Sequence, residues 1–264
     1  MKTGLFISVL AIILGCAQNE STECEADYSE FETAETQKTE PFKKVTLSAT
    51  DGLTVTADIY DTGNAEAPWI ILCHQAGFSR GEYREIAPQL NALGYNCIAT
   101  DQRSGNEVNG IKNETNAAAK KAKLPTAYSD AIPDVEAALK YVNVEMKASK
   151  VILWGSSYSA ALTFVMAAKH PEQIDAIVAF SPGEYFKVDG KGIAEFSANV
   201  TCPVFISSAK SEHSSWKGIF EKVTTPKSSH LPEVKGIHGS RGLWESTEGN
   251  EAVWEALKSY LKTL

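Results

Sequence analysis

The chain lacks a long apolar run. Its one extended apolar stretch, Leu5 to Leu14, is too short to cross a bilayer as a permanent helix. It also lacks an excess of positive charge: 25 Lys and Arg stand against 33 Asp and Glu, and the formal net charge of −8 argues against a nucleic-acid partner. There is no His-Glu-x-x-His and no paired cysteine spacing, so no metal site is expected. No phosphate-cradling glycine-rich loop follows a strand-like run, so no cofactor is implied. Internal repeats and a second domain are absent from the 264 residues. Three of the five cysteines, Cys73, Cys97 and Cys202, sit in apolar strand-like runs and are expected as buried thiols rather than bridges.

What is present begins at the N-terminus. Met1-Lys2 is a short positive start, Leu5 to Leu14 is apolar, and Leu14-Gly15-Cys16 ends the run. This resembles the bacterial lipoprotein signal. The resemblance implies removal of residues 1–15, with Cys16 as the new, lipidated N-terminus and a place in the cell envelope, periplasmic or surface-facing. Acyl chains then replace the removed helix as the anchor, at about 0.8 kcal/mol per buried CH₂. The other reading is an ordinary secretory signal with Cys16 incidental. Residues 17–40 hold eight acids and one base, Lys38, and few apolar side chains. Such a segment buries too little to offset the entropy of ordering. Residues 16–40 are therefore read as an acidic flexible tether. The acidity belongs to the tether, so it says little about any substrate of the body, residues 41–264.

The body opens with two alternating runs, Lys44–Ser48 and Leu53–Tyr60, around Asp51-Gly52, a hairpin signal. From Trp69 the pattern turns to α/β alternation. Ile70–His74, Cys97–Asp101, Val151–Trp154, Ile174–Phe180 and Val204–Ser208 are apolar runs of the kind buried on both faces of a parallel sheet. Helical patterns at about 83–93, 128–146, 214–223 and 251–260 lie between and after them, with a polar strand expected around Val234. The long segment from Gln102 to Thr126 is expected to form a partial lid, with a short helix at Ala117–Lys121.

Val151-Ile152-Leu153-Trp154-Gly155-Ser156-Ser157-Tyr158-Ser159 reads as strand, tight turn and helix. That is the shape of a nucleophile elbow, small-x-Ser-x-small. Ser157 is flanked by Gly155 and Ser159. Ser156 would be flanked by the bulky Trp154 and Tyr158, and Ser159 leaves too little turn. A serine hydroxyl needs a base, the base needs a carboxylate, and the developing oxyanion needs N–H donors. In the order nucleophile, acid, histidine, His238 follows the last strand and is the expected base, with His230 as runner-up. Glu212 lies close behind the Val204–Ser208 run and is the expected acid, with Glu184 as second choice. Tyr158 and Ala76 are the expected oxyanion donors, with Gln75 as the alternative to Ala76.

His74-Gln75-Ala76-Gly77, Asp101-Gln102-Arg103-Ser104-Gly105, Gly155-Ser156-Ser157-Tyr158-Ser159 and His238-Gly239 together resemble the α/β-hydrolase superfamily, in its dienelactone-hydrolase-like and esterase-like branch. The resemblance spans about residues 43–263. It implies a mostly parallel eight-stranded sheet with helices on both faces and no large cap domain. It also implies a serine hydrolase that cleaves carboxylic esters of small or medium acyl substrates through an acyl-enzyme. True dienelactone hydrolases use a cysteine nucleophile, whereas this elbow carries serine. A small peptidase of the same fold and a non-catalytic binding lipoprotein are the alternatives. Ser159 stands where helix and strand pack closest, so the turn must hold a hydroxymethyl group.

Overall fold

A computed structural model describes residues 41–264. The signal segment, Cys16 and the tether lie outside the described residues. In chain order the elements are β1 (Lys43–Ser48), β2 (Thr54–Tyr60), β3 (Trp69–Cys73), α1 (Ile86–Ala92), β4 (Asn96–Thr100), β5 (Glu107–Val108), β6 (Ile111–Lys112), α2 (Glu114–Lys121), α3 (Ile132–Lys140), β7 (Val151–Ser156), α4 (Tyr158–Lys169), β8 (Ala176–Phe180), α5 (Ile193–Ser197), β9 (Val204–Ser207), α6 (His213–Lys222), β10 (Lys227–His230) and α7 (Asn250–Leu261).

Eight strands form one sheet in the order β1-β2-β4-β3-β7-β8-β9-β10. From β4 to β10 all neighbours are parallel, and β2 alone runs against them. This is the α/β-hydrolase fold, with the expected eight strands. Alternation along the central strands sends successive side chains to opposite faces. Leu153 and Ile71 pack under α3, α4, α5 and α6, while Ile152, Trp154 and Ile70 pack against α1 and α7. β3 and β7 are buried throughout, as continuous apolar strands under helices on both faces must be. The two edges differ from this centre. Lys43, Lys44, Thr46 and Ser48 of β1 and Lys227, Ser228 and Ser229 of β10 are exposed.

Four local expectations change. The last strand is Lys227–His230, not a run around Val234, because β10 aligns with β9 through its backbone and carries almost no apolar signal. The first helix begins as a 3₁₀ turn over Arg80–Tyr83 before α1. The 128–146 helix is three pieces: a 3₁₀ turn, α3 and a π-helical turn at Tyr141–Glu145. The 102–126 segment holds the β5–β6 hairpin and α2 and is pinned rather than free. Thr115 accepts the Thr56 N–H at 2.9 Å, Arg80 pairs with Glu114 at 2.9 Å, and Asn113 donates to the carbonyl of Phe78 at 3.2 Å. Between β8 and β9 lies only the five-residue α5, too little for a cap domain.

Two buried ion-pair clusters hold this half together. Arg80 reaches Asp58 at 3.0 Å and Asp101 at 2.7 Å. Arg103, 2% exposed, grips Asp134 with Nε and Nη2, the latter at 2.7 Å, and reaches Asp51 at 2.6 Å. Cys73, Cys97 and Cys202 are free and buried, as expected.

Candidate active site

The site lies at the C-terminal ends of β3, β7, β8 and β9. Ser157 occupies the turn between β7 and α4 at φ 61°, ψ −119°, a conformation that costs a non-glycine residue free energy and persists only when neighbours impose it. Its N–H donates to the Phe180 carbonyl at 2.7 Å. The Ser159 hydroxyl accepts the Ser156 N–H at 2.8 Å and donates to the Cys73 carbonyl at 2.7 Å. The hydroxymethyl group is thus part of what locks the elbow. The closest approach falls at Gly155, where a β-carbon would run into the Ser159 carbonyl.

Ser157, His238 and Glu212 come together in one chain of hydrogen bonds. His238 Nε2 lies 2.7 Å from Ser157 Oγ, and His238 Nδ1 lies 2.6 Å from Glu212 Oε1. A carboxylate only accepts, so Nδ1 carries the proton and Nε2 is left to accept from the serine. Burial alone would raise the Glu212 carboxyl. Hydrogen bonds from His238 and Ser181 outweigh it and hold the group below its ordinary value, so Glu212 is ionised at neutral pH. Ser181 donates to Glu212 Oε2 at 2.6 Å and accepts the Gly239 N–H at 2.9 Å, which ties acid and histidine loops together. Ser157 is 8% exposed, enough for contact from one side.

The runner-up residues are engaged elsewhere. Glu184 accepts the N–H groups of Ile193 at 2.6 Å and Ala194 at 2.7 Å, so it caps α5. His230 ends β10 and makes no bond to the serine. His74 is fully buried. Its Nδ1–H donates to the Gln75 carbonyl at 2.8 Å and its Nε2 accepts the Gln102 N–H at 2.9 Å. Burial drives it down to about 4, so it is a neutral loop clamp.

For the oxyanion, Tyr158 opens α4, where an N–H has no intrahelical acceptor. The Gln75 N–H is already donated to Glu82 Oε2 at 2.7 Å. The Ala76 N–H has no acceptor among the described residues.

Several residues at the site escaped the sequence reading. Glu82 is fully buried beneath the turn. Tyr185 donates its phenol O–H to the Ser181 carbonyl at 2.8 Å. Tyr128 stacks on Tyr158 at 4.6 Å and meets Phe186 edge-on. On the far side of His238 a cleft of about 650 Å³ is lined by Glu212, Lys235, Arg241, Trp244 and Thr247. Arg241 lies over the Phe78 ring, 5.6 Å from its centre. Among the described residues no cluster of His, Cys, Asp and Glu could hold a metal ion.

Solved structures share this architecture. An esterase of Pyrococcus furiosus, Pf2001, superposes with a TM-score of 0.64 at 17% identity, over 84% of this chain and 92% of that one. A dienelactone hydrolase from Anabaena variabilis gives 0.66 at 15%, over 84% and 98%. Est1E from Butyrivibrio proteoclasticus, solved with ferulic acid, gives 0.63 at 14%, over 83% and 98%. Among curated proteins none matches the chain in sequence. Residues 68–207, from just before β3 to the end of β9, do match a family described as alpha/beta hydrolase fold, and the chain belongs to that family.

Proposed function

We propose that the protein is a serine hydrolase that cleaves carboxylic esters of small or medium acyl substrates. The observation that carries this reading is the unbroken run from Ser157 Oγ through His238 to Glu212, with the serine on a strained turn. As Ser157 Oγ attacks the acyl carbon, its proton passes to His238 Nε2. The Glu212 carboxylate stabilises the imidazolium that forms. The carbonyl oxygen becomes an oxyanion facing the N–H groups of Ala76 and Tyr158. Collapse expels the alkoxide, which takes the proton from His238, and leaves Ser157 acylated. Water then attacks the acyl carbon as His238 Nε2 takes one of its protons, and collapse breaks the acyl bond to Ser157 Oγ, which regains that proton from His238 as the acid leaves. The hydrogen bonds from Ser157 Oγ to His238 and from His238 to Glu212 support this cycle.

A fluorophosphonate probe tests the reading directly. The expected result is one labelled residue, Ser157, and no labelling of Ser157→Ala. Absence of labelling in the native protein would favour a binding protein that kept the fold. A panel of p-nitrophenyl esters beside aminoacyl amides separates esterase from peptidase, with faster turnover expected on the esters.

The location proposed for this activity is the cell envelope, with Cys16 lipidated and residues 17–40 as spacer. Mass spectrometry of the mature protein is expected to find a diacylated or triacylated Cys16 as its first residue. An unmodified N-terminus downstream of Cys16 would overturn the anchor.

A further inference from the structure

Glu82 is a fully buried carboxyl that touches neither Ser157 nor His238 by a hydrogen bond, yet it binds the neighbour of each active group. Oε2 accepts the N–H of Gln75, the residue before Ala76, at 2.7 Å. Oε1 accepts the hydroxyl of Ser156, the residue before Ser157, at 2.7 Å. The same Ser156 oxygen accepts the N–H of Ser240, two residues after His238, at 2.9 Å. The main chain joins in, since the Glu82 carbonyl accepts the Trp244 indole N–H at 2.9 Å. Gly239 completes the contact: a β-carbon there would collide with Ser156 Oγ and Gln75 Oε1. The loop after β3 and the elbow thus meet on the Glu82 carboxylate, and the histidine loop joins them through Ser156 Oγ.

We infer that Glu82 is a positioning residue for the hydrolysis proposed above, aligning the Ala76 N–H with the oxyanion and the histidine loop with Ser157. The inference rests on the reading of Ser157 as nucleophile. A buried carboxylate is expensive, and an apolar side chain of similar size would fill the space at lower cost. What an apolar residue cannot do is hold two donors from two loops at once. Misplacement by about 1 Å at a reacting centre can cost about 10²-fold in rate.

The charge on Glu82 matters because both of its partners donate. A protonated carboxyl keeps the Gln75 bond but sends its own O–H to Ser156 Oγ, so the Ser156 proton, which now points to Glu82 while its oxygen holds the Ser240 N–H, must turn away. Burial pushes this carboxyl up to about 7, against the hydrogen bonds from Gln75 and Ser156. Arg241 and His238, on the histidine-loop side, favour its ionised form. The other titratable groups facing it are the uncharged phenols of Tyr83, next to it in its own turn, and Tyr158 on α4. As pH falls through about 7, Glu82 takes up a proton and the alignment is lost.

The test is the pH profile of kcat/KM on a p-nitrophenyl ester for the native enzyme, Glu82→Gln and Ser156→Ala, with fluorophosphonate labelling rates in parallel. The native acid limb is expected to carry an inflection at about 7 from Glu82. Glu82→Gln keeps the shape, loses the second acceptor and is expected to lose that inflection. Its kcat should fall by about 10–100-fold while KM stays within about threefold. Ser156→Ala, which cuts the link to Ser240 but spares the Gln75 bond, should lower kcat by about tenfold. A native-like kcat and acid limb in folded Glu82→Gln would overturn the inference. If that variant does not fold, native kcat in Ser156→Ala overturns it instead. Failure of the native protein to label at Ser157 is a different result, which removes the proposed function beneath it.

Discussion

His238→Ala is expected to lower kcat/KM for a p-nitrophenyl ester by about 10⁵–10⁶-fold, with the fold intact. The size follows from geometry. Nε2, 2.7 Å away, is the only base within hydrogen-bonding reach of Ser157 Oγ among the described residues. Without the imidazole the hydroxyl attacks as a neutral alcohol, and the leaving alkoxide finds no proton donor. The residual rate measures what the N–H groups of Ala76 and Tyr158 contribute by themselves. Glu212→Ala is expected to cost less, about 10⁴-fold, because it disturbs the tautomer and the imidazolium but leaves a base in place. A His238→Ala enzyme within tenfold of the native rate would refute the assignment. Unchanged circular dichroism and thermal midpoint separate loss of chemistry from loss of structure.

The second large effect concerns stability. Arg103→Met is expected to destabilise the domain by about 3–5 kcal/mol in urea titration, on the order of 10 °C in Tm. Arg103 lies against Asp134, whose side chain is fully buried, and its removal strands that carboxylate. The total stability of a domain is about 5–15 kcal/mol, so the loss is a large share of it. The double variant Arg103→Met with Asp134→Leu should recover more than half, because no charge is then left alone in the interior. Less than about 1 kcal/mol from the single variant would mean that water reaches Asp134 and the pair is not a buried one. Ester turnover of the folded fraction should fall as well. Asp134 also holds the Arg103 N–H at 2.8 Å, and the adjacent Gln102 N–H fastens His74 at the base of the loop that presents Ala76.

The parts of the molecule that were legible in the sequence are those whose signal is local. The run from Val151 to Ala161 announces strand, turn and helix because its apolar residues, glycine and serines are contiguous. Ser157 could be chosen over its neighbours on side-chain size alone. The structure brings Glu212 and His238 to Ser157 in the order the sequence suggested; Glu212 follows the readable Val204–Ser208 run, whereas the strand expected before His238 was misplaced. Glu82 was not found, because its partners come from Gln75 and Ser156, which no spacing rule joins to it. Tyr185 hid for the same reason: only the folded loop after β8 brings it to the Ser181 carbonyl. β10 was misplaced because Lys-Ser-Ser-His has no hydrophobic alternation. It is a strand only because β9 offers it a ladder. The 102–126 segment holds the short helix that its Ala-Lys run suggested, but Asn113, Glu114 and Thr115 each carry a bond to the body that a count of residues cannot reveal.

An open sheet of eight strands has two unpaired rims, and each offers a row of backbone donors and acceptors to any other chain that drifts past. In this protein the rims are β1 and β10, and their exposed positions are lysine, serine and threonine. Two lysines on one side and one on the other discourage a second copy from zipping on, since like charges would be brought face to face. If the protein is tethered by its N-terminus, copies share a plane and meet far more often than molecules free in solution. The polarity that concealed β10 from the sequence reading then doubles as protection against self-association.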